Sequence, residues 1–141
     1  MEAAWALPYL ENAAQSCVLP PGSNAIVIAD YGSSQGKNSL SPMRAAIRCL
    51  RRRVGTERSV VVVHVDQHAN DFNTLFDVLH SDPERYALDD PNVFPCAIGR
   101  SFEDRSTRTS FHKGKLISAG ALTLPSGSAV FPPSSPDTLF R

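Results

Sequence analysis

Residues 26–38 of this 141-residue chain, Ile-Val-Ile-Ala-Asp-Tyr-Gly-Ser-Ser-Gln-Gly-Lys-Asn, gather the residue types that could do chemistry into one short stretch. An apolar run ends in Asp30, a turn of small residues follows, and a helix start comes next. Open α/β sheets bind ligands beyond the carboxyl ends of their strands, which is where this order puts Asp30. Gly32 and Gly36 let the backbone approach a ligand and take dihedrals that a Cβ forbids. Two phosphate-cradling patterns do not fit. The dinucleotide loop needs G-x-G-x-x-G and the P-loop needs G-x-x-x-x-G-K-[ST]. Here the two glycines stand four apart and Lys37 is followed by Asn38. An acid at the strand end suits a ligand with positive charge, and S-adenosylmethionine, with its ammonium and sulfonium, has that chemistry.

A second acid, Asp66, closes the β-branched run 60–65. An acid at the end of a second strand can accept hydrogen bonds from ribose hydroxyls. A turn or capping role is the alternative. The four histidines form no cluster, and no Ser/His/Asp or Cys/His nucleophile pattern emerges. Cys17, Cys49 and Cys96 lack metal-ligand spacing and are odd in number. We expect no metal, and reduced core thiols in a cytoplasmic protein.

Three stretches together carry a family resemblance. Asp30-Tyr31-Gly32-Ser33-Ser34-Gln35-Gly36-Lys37-Asn38-Ser39-Leu40 resembles the first cofactor motif of the SABATH-type carboxyl methyltransferases. Val65-Asp66-Gln67-His68-Ala69-Asn70-Asp71-Phe72-Asn73-Thr74-Leu75-Phe76 resembles the second, and Ile98-Gly99-Arg100-Ser101-Phe102 the start of the third. The resemblance implies S-adenosyl-L-methionine as cofactor and methyl transfer to a carboxylate of a small, for instance aromatic, acid. It implies that Asp30 and Asn38 hold the methionine end, with Gly32 giving close approach. Asp66 would hold the ribose, Gln67 would lie along the adenosine, and Ser101 and Phe102 would border the adenine. No catalytic residue is assigned: a carboxylate is already ionised near neutral pH, so proximity and alignment suffice. The resemblance also implies a homodimer for full-length members, whose chains are more than twice this long. Two alternatives stand beside this reading: a catalytically inactive truncated fragment, and another nucleotide-binding α/β domain.

The elements that must position these residues follow from periodicity. Residues 1–16 read as a helix with Pro8 near its start, without the Tyr- and Gln-bearing lid that the resemblance would place upstream. Residues 25–29, 60–65 and 93–98 read as buried parallel strands, with Pro95 marking the third as an edge. Ser41 and Pro42 suit a helix opening, followed by Met43, Ala46, Ile47 and Leu50 on one apolar face. Arg51, Arg52 and Arg53 read as a solvated last turn favoured by the helix dipole, and Gly55 as its cap. Asn70 or Asp71 caps a third helix, whose stripe is Phe72, Leu75, Phe76 and Leu79. The expected fold is α/β, a partial Rossmann-like class I methyltransferase three-layer sandwich. Strands one to three run parallel with helices, and the C-terminal tail is irregular.

Basic and acidic residues balance at 14 each, so no overall charge draws the chain to nucleic acid or an anionic membrane. Glu2 and the lack of a basic start argue against a signal peptide, and no apolar run approaches the about 20 residues that span a bilayer. Residues 1–102 are expected to form the N-terminal part of the cofactor domain. Residues 103–141, polar and then rich in Ser, Pro and Gly, are expected to form an irregular or disordered tail. The family pattern breaks off near Glu103. Codons permitted for residues 117–125, read one base back, can spell Leu-Gly-Trp-Ser-Ser-His-Ala-Ala, close to the family's substrate segment, so we expect a reading-frame slip there.

Overall fold

The computed structural model describes residues 7–22, 24–100, 114–118 and 122–125. Helix α1 spans Leu7–Ser16, with Pro8 in its first turn, where a missing N–H costs no intrahelical bond. Strand β1 (Ile26–Tyr31), helix α2 (Leu40–Val54), strand β2 (Val60–Asp66), helix α3 (Phe72–Ser81) and strand β3 (Val93–Gly99) follow as two β-α-β units. β1 pairs in parallel with β2, Ile26 opposite Val60 and Asp30 opposite His64, and β2 pairs in parallel with β3. β3 lies at the sheet edge, where Pro95 is tolerated.

Residues 103–141, expected to be irregular, contribute two further strands, β4 (Gly114–Ser118) and β5 (Leu122–Pro125). The sheet order is β3-β2-β1-β4-β5. That spatial order is the one doubly wound sheets use, but β4 runs antiparallel to β1, with Asp30 opposite Lys115 in register. β3 therefore ends, and β4 begins, at the carboxyl end of the parallel strands, and no crossover to the far end is needed.

One sheet face is the core. Ile26 and Ile28 of β1, Val60 and Val62 of β2 and Val93 of β3 pack with Leu10, Ala13 and Ala14 of α1, with Met43, Ala46, Ile47 and Leu50 of α2, and with Leu75 and Leu79 of α3. Each buried Val, Leu, Ile or Met among them contributes roughly 1.5–3 kcal/mol, and each Ala less. The other face is more open: Val27, Val61 and Val63 are half-buried, and Phe94 and Ile98 are 48% and 51% exposed.

Four local expectations need correction. α2 opens earlier than Ser41: Ser39 is its N-cap, reached through the 3-10 turn Lys37–Ser39, and Ser41 and Pro42 fall inside the first turn. Phe76 lies on the flank of the α3 stripe, half-exposed beside Pro95, because Leu75 and Leu79 already face the core. Arg51 is not solvated. It donates to Asp90 through Nε (2.6 Å), and to the carbonyls of Arg58 (2.5 Å), Gly55 (3.1 Å) and Asn92 (3.3 Å). Arg53 likewise donates to the Ala14 and Cys17 carbonyls at the end of α1 (2.6 and 2.8 Å). Orphan carbonyls at helix ends and loops offer a guanidinium fork more than water does. Of the three cysteines, all free, Cys49 alone is fully buried and Cys17 and Cys96 are half-buried. Gly55 caps α2 as expected, and Asp71 caps α3 by accepting the Thr74 N–H at 3.0 Å.

Candidate cofactor-binding site

The bend after β1 owes its shape to three left-handed residues: Gly32 (φ 74°), Ser34 (φ 50°) and Gly36 (φ 84°). The glycines take this conformation freely, whereas Ser34 must be held there. It is held from both sides. The Asp66 Oδ2 accepts the Ser34 N–H at 2.6 Å, and Asn70 Nδ2 donates to the Ser34 carbonyl at 2.8 Å. Asp66 Oδ1 also accepts the Gln67 N–H at 2.7 Å, which closes the turn after β2. Gly32 N–H continues the ladder to the Val65 carbonyl at 2.8 Å, so the bend and the end of β2 form one surface at the carboxyl edge. Gly36 is required for space as well as φ: a Cβ there would stand 2.5 Å from Leu75 Cδ1 of α3.

Asp30 sits one layer lower. It is 1% exposed, on the core face of β1 beside His64. Its Oδ2 accepts from the Ser39 hydroxyl and lies 3.1 Å from His64 Nδ1. His64 is itself fully buried, and its Nε2 meets the Tyr86 hydroxyl at 2.8 Å. Burial, then the Asp30 carboxylate, then Cys96 push the Tyr86 phenol well above its ordinary range, so it stays protonated. Ser39 makes no capping bond to its helix because its hydroxyl is committed to Asp30.

The site residues expected from sequence thus fall into two tiers. Asn38, in the turn before α2, and Gln67, after β2, are exposed; Asp66 is half-buried; Asp30 lies beneath them. Asp30 and Asp66 stand at the carboxyl ends of neighbouring, directly paired strands. Ser101 and Phe102 lie outside the described residues. Arg100 just before them donates its N–H to the Asp66 carbonyl at 2.9 Å, and Gly99 packs where a Cβ would come within 3.0 Å of the His68 backbone. Asn70, Ser39, His64 and Tyr86 were not singled out as site residues. Period-two alternation puts His64 on the same face as Val60 and Val62, and parallel pairing then sets it opposite Asp30, but Tyr86 reaches them only through the turn after α3.

The bend can accept an adenosyl ligand: it has left-handed backbone at Gly32 and Ser34, an acid at its rim, and a buried Ser33 hydroxyl with no hydrogen-bond partner among the described residues. Among those residues no helix is long and apolar enough to cross a membrane.

Parallel strands, a glycine bend at the end of the first and an acid at the end of the second define an open α/β protein of the Rossmann-like, nucleotide-cofactor class. The family of SAM dependent carboxyl methyltransferases matches over residues 3–117, and the chain belongs to that family. The match runs past residue 102 into β4. The methyltransferase FUS9 of Gibberella moniliformis is 36% identical over 70 residues, covering 50% of this chain and 18% of its own. A solved loganic acid methyltransferase with SAH is similar in fold, with a TM-score of 0.55 at 22% identity over 69% of this chain and 28% of its own. The chain therefore spans less than a third of either relative.

Proposed function

We propose that this chain supplies the S-adenosylmethionine-binding half-site of a methyltransferase that esterifies a carboxylate of a small, for instance aromatic, acid. When bound, the cofactor supplies a methyl group on a sulfonium, open to displacement by a carboxylate oxygen. The observation that carries the reading is the left-handed bend 32–36, stapled through Ser34 to Asp66 at the ends of two paired strands.

In this reading Gly32 brings backbone close to the methionine end and Asn38 offers an exposed amide to it. Asp30 lies below and contributes negative charge from beneath the surface rather than direct contact. Asp66 turns its remaining acceptor capacity to the ribose hydroxyls while gripping Ser34, and Gln67 lies along the adenosine. Ser101 and Phe102 border the adenine by resemblance. No general base is needed, because the acceptor carboxylate is ionised near neutral pH. The protein's part is alignment. The three free cysteines fit a reducing, cytoplasmic setting, and the family relation favours a homodimer for the full-length protein.

A second reading, cofactor binding without turnover, is favoured by the open sheet face around Phe94 and Ile98. Transfer of labelled methyl from S-adenosylmethionine to a panel of small aromatic acids separates the two. Ester formation supports an enzyme; cofactor binding with no ester supports a binding fragment.

A further inference from the structure

His64 spends a fully buried strand position on an imidazole, where its neighbours on the same face, Val60 and Val62, are apolar. A buried polar ring is destabilising unless both its nitrogens are satisfied. Here both are, by Asp30 on one side and Tyr86 on the other. With the Asp30 carboxylate ionised and the imidazole neutral, one arrangement of protons fits. An ionised carboxylate is acceptor-only, so Nδ1 must carry the proton that faces Asp30. Nε2 is then a lone pair and receives the Tyr86 O–H. The Tyr86 phenol, held protonated by its surroundings, can fill that role. The rings also stack, with centroids 5.9 Å apart and planes at 29°. Ser39 adds a second donor to the same carboxylate oxygen.

We propose that His64 is a positioning residue for cofactor binding: locked in its Nδ1–H tautomer by Tyr86, it fixes and stabilises the Asp30 carboxylate as a single negative charge beneath the cofactor's ammonium and sulfonium. The claim rests on the function proposed above. The whole relay ends on one oxygen at the ligand end of β1, so its effect is delivered there. An aliphatic residue at 64 would fill the strand position but leave Asp30 with one donor fewer.

The test uses the full 141-residue chain and S-adenosylhomocysteine. Nitrogen NMR of the imidazole is expected to show Nδ1 protonated and Nε2 unprotonated. By calorimetric titration, His64→Leu is expected to weaken binding about tenfold or more, the size of a lost hydrogen bond to a charged group. His64→Asn, which restores a donor at the Nδ1 position, recovers most of that loss, and Tyr86→Phe falls between. An Nε2–H tautomer, or equal affinity in wild type, His64→Leu and Tyr86→Phe, overturns the proposal while leaving the function intact. A wild-type chain that takes up no S-adenosylhomocysteine overturns the function and this role with it. If His64→Leu does not fold, the tautomer and Tyr86→Phe, which removes a single oxygen, still decide the matter.

Discussion

The Asp66 carboxylate accepts the backbone N–H of Ser34, 32 residues earlier in the chain, at 2.6 Å. One acid thereby holds a left-handed serine in place and stands at the rim of the bend that serine shapes. Asn70 grips the same residue from its carbonyl side.

Asp66→Ala is expected to weaken S-adenosylhomocysteine binding about tenfold or more, because it removes both the ribose acceptor and one side of the clamp. Asn70→Ala should weaken it less. The double variant should lose less than the sum of the two, since both hold the backbone of one residue, Ser34. Titration of the four proteins measures this. Full additivity would mean that the clamp and the ligand site are separate.

Gly36→Ala should destabilise the fold by about 1–3 kcal/mol, since it adds a Cβ at φ 84° against Leu75. Gly22 also has positive φ, but a Cβ there meets nothing within 4 Å. Gly22→Ala should therefore lose only about 1 kcal/mol. Urea midpoints of the two variants make the comparison, and equal losses would show that the Leu75 contact is irrelevant.

Tyr86 gives the chain an alkaline weakness. Its phenol is held above its ordinary value of 10.0 in the folded protein, chiefly by burial. The unfolded chain loses that proton near pH 10 and the folded one keeps it, so stability is complete below that pH and declines as pH rises past it. Denaturation between pH 9 and 11 should show the decline, and Tyr86→Phe should flatten it.

The frame-slip proposal concerns the coding DNA. Upstream of the Glu103 codon the present frame carries the family motifs. The family match itself holds in the present frame to residue 117, so the slip is tested beyond that codon, where the bases read one position back should continue the family pattern through a Trp-bearing segment. A back-shifted frame with no such continuation rejects the slip.

The placement of the upper-tier residues is legible in the sequence because it is local. Gly32, Gly36, Asn38, Asp66 and Gln67 sit in two short runs, and the strand-turn-helix order alone puts both at the carboxyl edge. That of the lower tier is not. That His64 faces Asp30 depends on strand register, and that Tyr86 completes the relay depends on how the turn after α3 packs. Neither leaves a periodic signal. Ser39 was read past for a related reason: Ser41-Pro42 looks like the better helix opening, and only the demand of Asp30 for a donor explains why the helix begins sooner. The contacts of Arg51 escape the sequence because dipole and solvation arguments consider one helix at a time, while its acceptors come from the loops before β2 and β3. In the tail, residues 103–141 have no hydrophobic period to announce β4 and β5, whose pairing is set by the open edge of β1.

The central claim is that the paired strand ends carrying Asp30 and Asp66 bind an adenosyl sulfonium cofactor. Calorimetric titration of the 141-residue chain with S-adenosylhomocysteine and, separately, with NAD tests it most directly. Saturable one-to-one binding of S-adenosylhomocysteine, weakened about tenfold or more in Asp66→Ala and absent with NAD, is the predicted result. Binding of NAD in preference, or S-adenosylhomocysteine binding that Asp66→Ala leaves unchanged, would contradict it.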